Sequence, residues 1–347
     1  MSIELYIKSQ RPACRIISES EARLSHVIKH FSEAGQPEMA LQIVSSPSAR
    51  HEIVDIDGNL TVIIDERVLL YIDMINSCEF NDSDIGTTFY QSALLIIADV
   101  LFVNGDFDVS SRLAEDINDN AAFSFKKSNS SIAGLDFFQF IAIIHHLYGH
   151  ERAHYSIDSG DTEILDTADF VFNDYIRNSS ISESTKIIMK NEYSCNNREE
   201  CACDIGSLIF IADLYQSKID DKISFKVDHM YDKIVYISMI LPLIDIIKKN
   251  ISNFEGDNNF IVPPVAILMQ RYIVIRRASM TFVKGTFPDQ YDEYCHRVDN
   301  LTHEMQNFIK EGGFHTLLVK AGIAYRRAKK APKRDTTEHQ CLAILAV

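Results

Sequence analysis

The chain has 347 residues, enough for one large domain or two, and its 46% hydrophobic and 24% charged residues are the balance of a soluble globular protein. A net charge of −15 disfavours nucleic acid as the main partner and gives no pull towards anionic lipid. Seven Cys, an odd number without paired spacing, exclude a disulfide framework and point to a reducing compartment.

In chain order, the opening segment Met1–Arg15 is polar and lacks the apolar core of a secretory signal, so a cytoplasmic protein is expected. It reads as a short extended piece followed by a helix over Ser20–Ala34. Leu41–Val44 and Glu52–Asp55 read as strands, and Asp57-Gly58-Asn59 makes a turn before a third strand, Leu60–Ile64. Asp65 is placed to cap a helix running to about Ser77. From there the pattern is almost entirely helical. A segment opened by Ser83 and Asp84 ends at Asn104-Gly105-Asp106, and a shorter amphipathic one covers Val109–Ile117. Asn118–Gly134 is polar and reads as a loop.

Asp136–Tyr155 follows, with the strongly apolar lead-in Phe137, Phe138, Phe140, Ile141, Ile143 and Ile144 and no Pro. That composition predicts a buried helix, which stops near Asp158-Ser159-Gly160-Asp161. Further helices are expected at Thr162–Arg177, Glu183–Tyr193, Glu199–Gln216, Phe225–Asn250, Gln290–Glu311 and His315–Lys329, with Pro263-Pro264 blocking any helix that begins before it. The apolar stretches Ile234–Ile247, broken by Pro242 and Asp245, and Phe260–Ile275, broken by Gln270 and Arg271, fall short of the roughly 18 residues of a membrane span. The basic run Ala324–Arg334 reads as a solvated terminus.

The chemistry concentrates in His150-Glu151-Arg152-Ala153-His154, a complete H-E-x-x-H. Residues four apart share a helix face, so the imidazoles of His150 and His154 can bind one zinc ion, with Glu151 beside it as the base for the ion's water. A catalytic zinc site needs a third protein ligand and an open position. A third His six residues after the second is absent, because Gly160 stands there. The best candidate is Glu200, which forms E-x-x-x-D with Asp204 on an apolar helix. Glu200 and Asp204 share a face, so Glu200 can bind the metal while Asp204 accepts from the outer nitrogen of a zinc-binding His. The alternative is an exposed first turn whose acids favour the helix N-terminus. His146, one turn before His150, reads as a packed helix histidine, and Cys195, Cys201 and Cys203, whose spacing matches no structural zinc motif, read as buried small hydrophobes.

H-E-x-x-H followed by E-x-x-x-D resembles the gluzincin metallopeptidases, and in layout and size the chain is similar to the Lit phage-exclusion peptidases. The resemblance implies zinc held by His150, His154 and Glu200, Glu151 as general base and Asp204 as supporting acceptor. In several such families a His-Pro-Pro segment leads to an Arg near the active site. Pro263-Pro264 and Arg271 are similar, but Val262 stands in the place of that His.

The expected fold is therefore α+β and predominantly helical, zincin-like, with a small N-terminal β-element and the H-E-x-x-H helix in the core. Its parts are a β-containing and helical segment over 1–130, a metallopeptidase core over 131–330 and a tail over 331–347. The expected function is zinc-dependent hydrolysis of an intracellular protein or peptide, with Tyr155, His229 and Arg271 as candidate donors to the oxyanion. Two other readings stay open. One is a helical interaction protein that keeps the motif only for packing; the other is a zinc hydrolase of a non-peptide substrate.

Overall fold

The computed structural model describes residues 2–10, 15–16, 40–46, 51–76, 85–119, 137–216, 221–255 and 260–345. The expected helix over Ser20–Ala34 and most of the expected loop Asn118–Gly134 lie outside them. The chain is an α+β protein, mostly helical, with one small sheet near its N-terminus.

The sheet has strands β1 (Arg15–Ile16), β2 (Ala40–Ser45), β3 (Glu52–Ile56) and β4 (Asn59–Asp65), in the order β1-β2-β4-β3. β2 and β4 run parallel, with Leu41 opposite Val62, and the outer pairs are antiparallel. The β3–β4 hairpin turns at Asp57 and Gly58, whose φ values of 55° and 82° suit this dipeptide, and the Gly58 amide donates to Asp55 Oδ1 at 2.8 Å. Strand alternation splits the apolar residues between two faces. Ile43, Val62 and Ile64 join the main core, whereas Val44 and Ile63 face the other way and pack with Ile7.

That second face corrects one expectation. Residues 3–10 form helix α1 (Ile3–Gln10) rather than an extended piece. Ile3, Tyr6 and Ile7 make a helical stripe that covers the outer face of β2 and β4. So short a helix holds its shape by this packing, not by propensity.

Helix α2 (Glu66–Asn76) starts where expected, with Asp65 Oδ1 accepting from the Arg67 amide at 3.1 Å. Next come α3 (Ile85–Val103), α4 (Phe107–Asp119), α5 (Phe137–Asp158), α6 (Glu163–Asn178) and α7 (Glu183–Glu192). A π-helical turn, Tyr193–Asn197, carries α7 directly into α8 (Arg198–Gln216). The rest comprises α9 (Asp221–Asn250), the single turn α10 (Val265–Leu268), α11 (Gln270–Thr286), α12 (Tyr291–Lys310), α13 (Gly313–Lys330) and α14 (Glu338–Leu345).

Besides the single turn α10, the helices α11 and α14 are absent from the sequence reading. Its apolar run ending at Ile275 contains the start of α11, whose β-branched Ile273-Val274-Ile275 carries no helical stripe of its own. Within the tail, α14 buries Cys341 and Leu345 against the core. The basic run before it meets the acidic helix α4, where Arg334 Nη1 lies 2.7 Å from Glu115 Oε2 and the Arg334 amide donates to Asp108 Oδ2 at 3.1 Å. One apolar cluster extends from Ile43 to Leu345. Among the described residues, no helix is long and apolar enough to cross a membrane.

Helix α5 sits at the centre of this arrangement, between the sheet strands β3 and β4 on one side and α8 and α9 on the other. Its contact with α8 is very close. A Cβ placed on Gly149 would come 2.9 Å from Ser207 Cα, and one on Gly206 would come 2.6 Å from Ala153 Cβ. Only glycine at these two crossing points lets the helices approach so nearly. The approach brings the side chains between them within bonding distance.

Candidate metal centre

His146, His150 and His154 stand one turn apart on α5, and Glu200, Cys203, Asp204 and Ser207 form the matching stripe on α8. His150 Nδ1 lies 3.0 Å from Asp204 Oδ1, and His154 Nδ1 lies 2.8 Å from Glu199 Oε1. A carboxylate can only accept, so each imidazole carries its proton on Nδ1 and turns the lone pair of Nε2 inwards. The two Nε2 atoms are 3.2 Å apart. Glu200 adds its carboxylate to the same point, with Oε2 3.5 Å from His150 Nε2 and Oε1 3.7 Å from His154 Nε2.

Lone pairs and a carboxylate that converge in this way repel one another unless a cation sits among them. The 3.2 Å spacing is close to the edge of a tetrahedron built on Zn–N bonds of about 2.0–2.1 Å. With no ion present, a proton is the available cation. Burial alone would lower the pKa of His150, but its hydrogen bonds to Asp204 and Glu200 raise it to about 9. Burial would raise Glu200, yet His150 and Arg271 hold it down at about 2.

Among the described residues, two groups of donors lie close enough to hold one ion, each with its ligand atoms within 4.8 Å of one another: His150, His154 and Cys203, and His146, His150 and Asp204. In the second, Asp204 is already paired with a cation. Arg271 on α11 donates from Nε to Asp204 Oδ2 at 2.9 Å and from Nη2 to Oδ1 at 2.8 Å, while its Nη1 lies 3.0 Å from Glu200 Oε2. Burial would raise the Asp204 carboxyl, but Arg271 and His150 hold it far below the usual carboxylate range. Asp204 is thus a fixed, fully charged acceptor for His150.

Glu151, one residue and about 100° around α5 from His150, is directed towards the strand β3 side, where His51 also lies against the His150 ring. Glu151 is nearly buried, its pKa is raised chiefly by desolvation, and its Oε1 lies 3.5 Å from Nε2 of His51, the residue just before β3. His146 is fully buried with Nδ1 2.7 Å from Ser207 Oγ, and desolvation lowers its pKa to about 3, so it stays neutral. That is the packed histidine the sequence suggests. Among the described residues, Cys195, Cys201, Cys203, Cys295 and Cys341 are free thiols.

The structure therefore brings His150, His154, Glu200 and Asp204 together, with Glu151 in the same turn of α5 as His150. Of the oxyanion candidates, Arg271 is committed to Asp204 and Glu200, Tyr155 is exposed, and the side chain of His229 lies outside the described residues. Sequence reasoning missed Glu199, His51 and Cys203. The 100° step from Glu200 turns Glu199 away from the face, yet its long side chain reaches back to His154. His51 stands about 100 residues before the motif, where no local signal links it to Glu151. No known protein family, curated protein or solved structure matches the chain.

Proposed function

We propose that the protein is a zinc-dependent metallopeptidase of gluzincin type with a zincin-like arrangement of sheet and active helix, in which His150, His154 and Glu200 hold the ion and Glu151 is the general base. The observation that carries this reading is the convergence of two inward-facing Nε2 lone pairs and the Glu200 carboxylate on one point, each outer imidazole nitrogen being fixed by a carboxylate. Zinc bound there would polarise a scissile carbonyl and acidify the attacking water.

The chain's own residues supply the remainder. Desolvation raises the pKa of Glu151 and improves it as an acceptor for the water's proton and as the later donor to the leaving amine. Asp204, locked by Arg271, keeps His150 in the ligating tautomer, and Glu199 does the same for His154. The close α5–α8 crossing buries the His150–Asp204 half of the site.

The test has two parts. Protein purified without added metal should contain about one zinc per chain. Glu151→Gln should keep that zinc and lose the ability to create new protein termini when the active and variant forms are expressed and their proteomes compared. Zinc-free native protein sinks the metal reading. A variant that retains more than about a tenth of the cleavage sinks the general-base role.

A further inference from the structure

The donors that face the convergence point outnumber what a catalytic metal site requires. Glu200 approaches the two imidazoles at 3.5 and 3.7 Å, and the α8 stripe brings a further donor to the same pair, the Cys203 thiol. Cys203 follows Glu200 by three residues and so stands on the same face, one turn deeper between the helices. Its Sγ lies within 4.8 Å of a ring nitrogen of both His150 and His154, and the residue is completely buried.

We propose that Cys203 is a ligand of this metal, so that two imidazoles and a thiolate form the buried base of the site and Glu200 is its exchangeable fourth donor. The proposal rests on the metal reading above and names the ion class: a thiolate selects zinc-like ions over magnesium, calcium or manganese. Without an ion, burial and the nearby carboxylates Asp204 and Glu200 hold the thiol protonated. Metal–sulfur bond formation sends that proton to solvent, as for any coordinated thiol.

Glu200 and Cys203 differ in what else they can do. Glu200 is 38% exposed at its side chain and has a second partner in Arg271, 3.0 Å from its Oε2. Turning from the ion to Arg271 leaves Glu200 paired and opens one coordination position. Cys203 has no such route to solvent, because it is enclosed by the α5–α8 contact. The resting site is closed by four protein donors, and it opens at the Glu200 arm.

X-ray absorption on the zinc-loaded full-length chain tests this without any substrate. The expected result is one sulfur at about 2.3 Å together with nitrogen and oxygen ligands at about 2.0–2.1 Å. Cobalt-loaded protein should show a near-ultraviolet thiolate-to-cobalt band that Cys203→Ser loses, while Cys201→Ser and Glu200→Ala keep it. If Cys203→Ser does not fold, the wild-type sulfur signal and its survival in Cys201→Ser carry the test. A zinc shell of nitrogen and oxygen only, or a band that persists in Cys203→Ser, overturns the proposal and leaves the metallopeptidase reading standing. Failure to bind either ion overturns both.

Discussion

Two of the buried charge clusters among the described residues are built on opposite principles. At the α2–α3 contact, Arg67 forks onto Asp99, with Nε to Oδ2 at 3.0 Å and Nη2 to Oδ1 at 2.6 Å. The Tyr71 hydroxyl also donates to Asp99, and Arg67 Nη1 reaches the Leu345 carbonyl at 3.1 Å. Donors there meet acceptors, and the group is closed. At the α5–α8 contact the Asp204–Arg271 pair is equally closed, but on its inner side acceptors meet acceptors: two Nε2 lone pairs and a carboxylate. A closed cluster ties elements together. An open one is complete only with a cation.

The largest expected effect breaks the closed cluster. Asp99→Ala leaves the Arg67 guanidinium buried and unpaired, and should cost about 3–5 kcal/mol of stability, read by chemical denaturation. The loss should be the same with and without zinc, since the cluster holds no part of the metal site. Should zinc rescue the variant, the two regions are not independent.

The open cluster should respond to metal instead. Free zinc at 100 times its Kd should stabilise the native protein by about 2.7 kcal/mol, seen as a rise in melting temperature. His150→Ala should abolish that rise. A variant that still gains the full stabilisation would place the ion elsewhere.

Supporting acceptors should matter less than ligands. Asp204→Asn should weaken zinc binding by about 10- to 100-fold, and Glu200→Ala by more. Glu199→Ala should fall at or below the lower end of that range, because His154 is more open to solvent than His150. Competition with a chromophoric chelator ranks the three. Equal losses for Glu199 and Glu200 would mean that sequence spacing has misidentified the third ligand.

A pH dependence separates the metal-free from the zinc-loaded protein. His150 has a folded pKa of about 9, above its unfolded 6.5, so its contribution is complete below pH 6.5 and is lost as pH rises towards 9. His51 and His146, each lowered to about 3 chiefly by burial, act in the opposite sense, because the unfolded chain binds their protons first. Their contribution is lost as pH falls from 6.5 towards 3. Metal-free protein should be most stable near pH 6.5, and zinc should remove the alkaline decline, since it replaces the His150 proton. Melting temperatures across pH 4–9 with and without zinc check both limbs. An alkaline decline that persists with zinc would show that the ion does not compete with that proton.

Much of this was written in local sequence. The strands of the hairpin, its Asp57-Gly58 turn, the Asp65 cap and most helices follow from alternation, spacing and turn residues, which act within a few neighbours. So does the pairing of His150 with His154, since a four-residue step on any helix places two side chains together, and likewise the shared face of Glu200 and Asp204. The remainder depended on what one element meets in another. Ile3, Tyr6 and Ile7 fold as helix α1 because the back of β2 and β4 needs covering, and α11 carries Arg271 into the core because Asp204 is there to receive it. Glu199 reaches His154 and Cys203 approaches the imidazoles because two glycines let α5 and α8 cross so closely, and His51 approaches Glu151 because the sheet packs on α5. Spacing along a chain specifies which residues share a face; the distance between faces is set by packing.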